Sequence, residues 1–448
     1  MNGDMRTGAA TKSIVLFSVP VILGNLFQQF YNTMDAVILG RFQGEHALAA
    51  IGVANPIMSV AIFLLFGMCI GISVLLAELY GAEDRNGFSA QTATALWIGV
   101  CCTLILTLLC FFGAAPLLRI TQTPEEILPL AADYLRIIAV GLIFTFFYNF
   151  YSAALRALGD SRTPFYYLLF SSCLNILLDL LFVAVFSFGV KGAAWATVLA
   201  QACSSFLCIQ RVYRHDSPLA LRGKALLPVK AAARRTFSYS YSVALQQSCI
   251  YLGRLAVQSI VNTFGTSTIA AFNAATRIEY LAYAPMDGLS TAAATFYAQN
   301  KGAHLLYRIR RGFSGCLGIA ACYAAVMSVT LYFFPEQIMS LFSNEQDAAV
   351  ITEGARYLRT MSGFYFFGAA MYTMQGFFRG MGRLYLSLFS SFSQIALRII
   401  IAYVFAPTLG ILAICWATIL GWGWMTFFQG ILSIQYFYRT SKAARSNP

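Results

Sequence analysis

Apolar residues arrive in long runs separated by short polar breaks, near 14–39, 47–80, 90–116, 130–156, 164–187, 190–213, 237–263, 268–298, 312–335, 356–378, 384–406 and 409–436. Each run is long enough for a helix to cross roughly 30 Å of hydrocarbon. The pattern predicts an all-α polytopic membrane protein with twelve transmembrane helices. Several runs exceed the minimum length, so tilts or kinks are expected. Pro20, inside the first run, removes a backbone hydrogen bond and is a candidate hinge.

The polar exceptions inside these runs carry the functional signal. At about 100° per residue, Asn25, Gln28, Asn32 and Asp35 fall within one sector of roughly 80° on the first helix. A carboxylate in hydrocarbon stays charged only if it faces a polar cavity, so Asp35 is a functional candidate. On the fifth helix Asn175 and Asp179 are four residues apart and share a face, which Ser172 extends. Thr197, Gln201 and Ser204 form the corresponding stripe on the sixth. Counted from the ends of their spans, Asp35, Asp179 and Thr197 come to a common depth. Two carboxylates with amide and hydroxyl oxygens suit a hard monovalent cation, and also a proton shared between acids. A cluster that only glues helices together is the plainer alternative.

The chain also repeats itself. Shifted by 221 residues, Gly44, Ala49, Ala50, Gly67, Ala77, Gly81 and Ala82 meet Gly265, Ala270, Ala271, Gly288, Ala298, Gly302 and Ala303. Shifted by 223, Tyr134, Arg136, Arg156 and Gly159 meet Tyr357, Arg359, Arg379 and Gly382. This predicts two lobes of six helices, 1–213 and 237–448, joined by a charged linker at 214–236 that holds Pro218 and Pro228. Six is even, so the halves insert in the same sense, related by a pseudo-two-fold axis along the membrane normal. Asp35 corresponds to Ala256, Asn175 to Arg398 and Asp179 to Ala402, so the acidic pair belongs to the first half alone.

In the second half Gln247, Tyr251, Arg254 and Gln258 share one face of the seventh helix and are candidates to line a substrate cavity with Gln28, Asn32 and Gln201. Arg254 and Glu279 lie at comparable depth on consecutive helices, and an intramembrane ion pair between them is expected; a direct role in transport is the alternative. Arg398 has no obvious partner, and Asp287 lies too deep to join Glu279.

Mean hydropathy is +0.68 and charged residues make up 11% of the chain, while the net charge is +12. The surplus does not signal nucleic acid. Most Lys and Arg fall in alternate loops and in the linker, including Arg211, Arg222, Lys224, Lys230, Arg234, Lys301, Arg310 and Arg439. By the positive-inside rule this predicts a multi-pass plasma-membrane protein with both termini in the cytoplasm. The first span has no small-residue cleavage site after a short apolar core, so it is expected to remain as a helix. All eleven cysteines lie in apolar runs, which argues against disulfides. His46, His215 and His304 sit in separate breaks, and neither H-E-x-x-H nor GxxxxGK[ST] occurs, which disfavours an intramembrane metalloenzyme and an ATP-driven pump.

The run Asp35-Ala-Val-Ile-Leu-Gly40-Arg41, then Gly44 and Ala47-Leu-Ala-Ala50, the degenerate copy from Gly265 to Ala271, and Gln299-Asn-Lys-Gly302-Ala303 resemble the multidrug and toxic compound extrusion family over nearly the whole chain. The resemblance implies a secondary efflux antiporter that exchanges organic, cationic or amphipathic compounds for H⁺ or Na⁺, with no cofactor and no catalysis. A flippase for lipid-linked substrates on a related fold is the alternative. It implies a working monomer in a lipid bilayer whose partners are small molecules. In the DinF-type and archaeal branch, the acid on the first helix, the Asn and Asp on the fifth and the Thr on the sixth form the cation or proton site; here those are Asp35, Asn175, Asp179 and Thr197. The tenth helix lacks the acid of the NorM-type pattern. Bending of the first helix in this family makes Pro20 the corresponding hinge.

Overall fold

A computed structural model describes residues 4–214, 217–342 and 348–446, and every regular element among them is helical. The principal helices of the first half are α1 (Ala10–Gly44), α2 (His46–Gly81), α3 (Arg85–Phe112), α4 (Leu128–Ala157), α5 (Arg162–Asp179) and α6 (Gly189–Arg214). The second half contributes α7 (Lys230–Val261), α8 (Thr266–Gly302), α9 (Leu306–Phe333), α10 (Ala348–Ser362), α11 (Tyr365–Gly380), α12 (Leu384–Leu409) and α13 (Ile411–Ser446).

Nine helices among the described residues are long and apolar enough to cross a membrane. The other expected spans, 237–263, 268–298 and 356–378, are carried by α7, by α8, and by α10 with α11. Polar side chains such as Gln246, Gln247, Arg254, Glu279 and Asp287 lower the hydropathy of α7 and α8. The tenth expected span is broken between Ser362 and Tyr365, where the last turn of one helix gives way to the next.

The breaks have local causes. Helix would run unbroken from Ala10 to Gly81 but for Gly44, whose φ of 75° lies in the left-handed region that glycine enters without a Cβ clash. Its repeat partner Gly265 falls in the corresponding break between α7 and α8. Asp160 starts α5: its Oδ1 accepts from the amides of Arg162 (3.1 Å) and Thr163 (3.0 Å), satisfying two of the otherwise unpaired first-turn donors. Asp84 starts α3 by accepting from Gly87 N at 2.8 Å. Backbone dihedrals stay helical through Pro20.

The described chain forms two compact units. One contains 19–248 with 301–304; the other contains 7–18, 249–300 and 305 onward. The chain passes between them at Ser18–Val19, next to Pro20, and again within α7 at Ser248–Cys249. In the first unit the start of α7 is locked onto the end of α2. Glu78 Oε1 lies 3.1 Å from both Arg235 Nη2 and Lys301 Nζ, and Tyr239 Oη donates to Glu78 Oε2 at 3.2 Å. Gly302 presses against this knot, and a Cβ there would run into the carbonyl oxygen of Glu78.

Candidate functional site

Within the first unit, α1, α5 and α6 converge on a polar cluster. Asn175 and Asp179, one turn apart on α5, are 2% and 0% exposed, so the shared face predicted from their spacing is buried. Ser171 Oγ donates to Ala200 O at 2.9 Å and ties α5 to α6. Asn175 Nδ2 donates to Thr197 Oγ1 at 3.5 Å, and Thr197 Oγ1 donates in turn to Ala193 O at 3.1 Å. Immediately after Asp179 the helix widens into a π-helical segment, Leu180–Val185. Such widenings release backbone groups from their usual partners. Here Gln43 Nε2 donates to Val183 O at 3.1 Å and supplies one.

Asp35 projects from α1 toward Asp179, near enough for the two carboxyl groups to act on one another. Neither can donate to the other without a proton. The buried oxygens that have no donor are Asp35 Oδ1, both oxygens of Asp179, Asn175 Oδ1 and Gln201 Oε1, and all of them are acceptors. A donorless cluster of this kind, away from water, is costly unless a cation or a proton fills it. A cavity beside it, lined by Tyr31, Ser171, Ser172, Asn175, Thr197 and Gln201, has room for about one water-sized guest. That accommodates a bare monovalent ion or a water, and excludes a drug-sized molecule.

Two tyrosines complete the environment. Tyr31, one turn before Asp35 on α1, lines the cavity, and Tyr134 of α4 is buried where its hydroxyl feels both Asp35 and Asp179. Gln28 is exposed one turn earlier on α1, while the side chain of Asn32 lies outside the described residues. Polarity alone does not single out either tyrosine, because tyrosine reads as apolar in a hydrophobic run. The signal that pointed to Tyr134 was its repetition as Tyr357.

Tyr357 does the equivalent work in the second unit. Its hydroxyl donates to Glu279 Oε2 at 3.1 Å, and that of Tyr365 donates to Oε1 at 3.4 Å. Around them Tyr283 packs against Tyr365, Tyr372 and Trp422, with ring centroids 5.2, 5.7 and 5.3 Å away. The cation acting on Glu279 is Arg398, which approaches without a direct ion pair. This replaces the expected Arg254–Glu279 pair. The guanidinium of Arg254 instead covers the ring of Tyr280, 4.8 Å from its centroid. Glu279 and Tyr280 are neighbours on α8, so they share a depth but point about 100° apart. Depth estimated from sequence identified the right turn of helix and the wrong face.

The other cavity candidates lie along α7. Gln258 Nε2 donates to Asn262 Oδ1 at 3.0 Å on an exposed stretch of α7. Gln247 belongs to the first unit, Tyr251 and Arg254 to the second. Asp287 acts on Arg379 and Tyr372 rather than on Glu279. Among the described residues no group of three or more His, Cys, Asp or Glu side chains could hold a metal ion.

A bundle of apolar helices in two repeats, with acidic acceptors sequestered within it, defines a membrane transporter. The family model MatE matches residues 20–181 and again 243–404, two copies that begin 223 residues apart, as Tyr134 and Tyr357 do. The chain belongs to this family, the multidrug and toxic compound extrusion transporters. It is 30% identical over 386 residues to the probable multidrug resistance protein YpnP of Bacillus subtilis, covering 85% of this chain and 84% of the relative. It is 25% identical to the probable multidrug resistance protein NorM of Thermotoga maritima, over 83% of this chain and 80% of that one. In fold it matches a crystal structure of a MATE protein in complex with MaL6, with TM-score 0.93, 23% identity and coverage of 99% and 100%. An outward-facing MATE transporter matches with TM-score 0.91, 23% identity and 98% coverage of each chain.

Proposed function

We propose that the protein exports organic compounds in exchange for a monovalent cation, H⁺ or Na⁺, by alternating access of the lobes 1–213 and 237–448, with both termini in the cytoplasm. The observation that carries this reading is the donorless cluster of Asp35, Asn175, Asp179 and Gln201 beside a cavity of ionic size. Asp35 and Asp179 provide the charge, and the Asn175 and Thr197 oxygens complete the coordination. A proton would sit between the carboxyls; a sodium ion would be held by carboxylate, amide and hydroxyl oxygens. The void beside the cluster is of the size of an ion or a water, so the compounds themselves are placed outside it.

Pro20 supports the conformational part of this proposal. It lies on α1 where the chain passes from one compact unit to the other, and a proline there lowers the cost of bending the helix. An inward gradient of about 100 mV and one pH unit releases about 2.3 plus 1.4 kcal/mol per proton, enough for a concentration ratio of several hundred for a neutral compound. The test is efflux from proteoliposomes with pH and sodium gradients imposed separately. Export driven by one of them, and lost in Asp35→Asn, is expected; export that ignores both gradients would refute the exchange mechanism.

A further inference from the structure

α3 changes character at Trp97. Residues 91–96 are all buried, whereas Trp97, Cys101, Leu104, Ile105, Leu108 and Phe112 are exposed at helical spacing, so the lipid-facing stripe begins at Trp97. The linker between the repeats closes over the helix at that boundary. Val229 N donates to Thr94 Oγ1 at 2.9 Å, and Trp97 Nε1 donates to Leu226 O at 2.9 Å. Indole rings with one wet end mark the membrane interface. The linker is therefore held as a strap at the level where hydrocarbon meets headgroups.

Its own side chains fit that position. Leu226, Leu227 and Val229 are 39%, 61% and 42% exposed, contiguous with the lipid-facing stripe rather than folded under it. Lys224, Lys230 and Arg234 are also exposed, and no acidic residue occurs between Asp216 and Glu279. A merely solvated connection has no reason to present three large apolar side chains among uncompensated cations.

We infer that residues 222–234 form an interfacial anchor for anionic phospholipid headgroups, with Leu226, Leu227 and Val229 entering the acyl boundary and Lys224, Lys230 and Arg234 lying on lipid phosphates. Apolar burial sets the depth of the strap and charge selects the lipid.

The full-length protein in nanodiscs tests it, with trypsin cleavage after Arg222 and Lys224 as the readout. Cleavage is expected to be slow in discs containing phosphatidylglycerol and fast in pure phosphatidylcholine, and high salt should abolish the difference. Lys230→Ser with Arg234→Ser keeps the cleavage sites and should speed cleavage in phosphatidylglycerol by roughly fivefold per charge removed. Leu226→Ser with Leu227→Ser should remove protection in phosphatidylglycerol. Equal cleavage in the two lipids, or protection that survives either pair of substitutions, would overturn the inference, since the strap would then be held by the protein alone.

Discussion

Asn175 and Thr197 are linked by a 3.5 Å hydrogen bond in which the amide nitrogen of Asn175 is the donor. The bond commits one N–H of the Asn175 amide to Thr197, while the Asn175 Oδ1 is buried without a donor. Thr197 likewise spends its proton on Ala193 O. The unpartnered oxygens left in this cluster, on Asp35, Asn175, Asp179 and Gln201, are all acceptors.

Asp35→Asn is expected to leave insertion and folding near wild type and to abolish gradient-driven efflux. The substitution keeps the shape of the side chain, removes its charge and places an amide donor among buried unpartnered acceptors. Vesicle transport at the wild-type rate would show that Asp35 is not the coupling group.

If Asp35 and Asp179 hold a single ion, losing either acid removes the same function. Asp179→Asn should therefore be nearly as inactive as Asp35→Asn, and the double variant no worse than the poorer single one. Independent sites would multiply their losses instead, and transport rates of the three variants distinguish the cases.

Tyr357→Phe removes the shorter of the two hydroxyl donors to Glu279 and leaves the ring in place. A hydrogen bond to a charged group contributes about 1.5–3 kcal/mol, so the thermal unfolding midpoint in detergent should fall. Glu279→Gln should also lower it by leaving Arg398 uncompensated, whereas Glu279→Gln combined with Arg398→Gln should recover much of the loss. Combining Glu279→Gln with Arg254→Gln should not, because Arg254 rests on Tyr280.

Gly302→Ala should be among the more damaging small substitutions, costing about 1–3 kcal/mol, because the new methyl group meets backbone that cannot rotate aside. Glu78→Gln should be milder, about 1 kcal/mol, since Arg235 and Lys301 are 42% and 31% exposed and screened by solvent. Differential scanning in detergent at low and high salt separates the two effects. Only the cost of Glu78→Gln should shrink as salt rises.

Helical spans, their repetition and the faces carrying Asp35, Asn175, Asp179 and Thr197 were legible in the sequence because each rests on a period or an offset that local chemistry imposes. Less legible were features decided by the angle at which one helix meets another. The partner of Arg254 turned on a single residue step along α8, from Glu279 to Tyr280, which depth cannot resolve. Tyr134 and Tyr31 escaped because hydropathy counts their rings and ignores their hydroxyls. The break at Ser362–Tyr365 interrupts an apolar run with no proline to announce it.

The narrowness of the cavity beside Asn175 and Thr197 bears on what the membrane voltage can do. If, as proposed, one monovalent ion is exchanged for each molecule exported, one elementary charge enters per cycle. Export of a neutral compound is then electrogenic and is accelerated by an inside-negative potential. Export of a monocation returns the charge and is electroneutral, so it responds to the chemical gradient of the driving ion alone. The same transporter would thus be more concentrative for uncharged compounds than for cationic ones in a strongly polarised membrane.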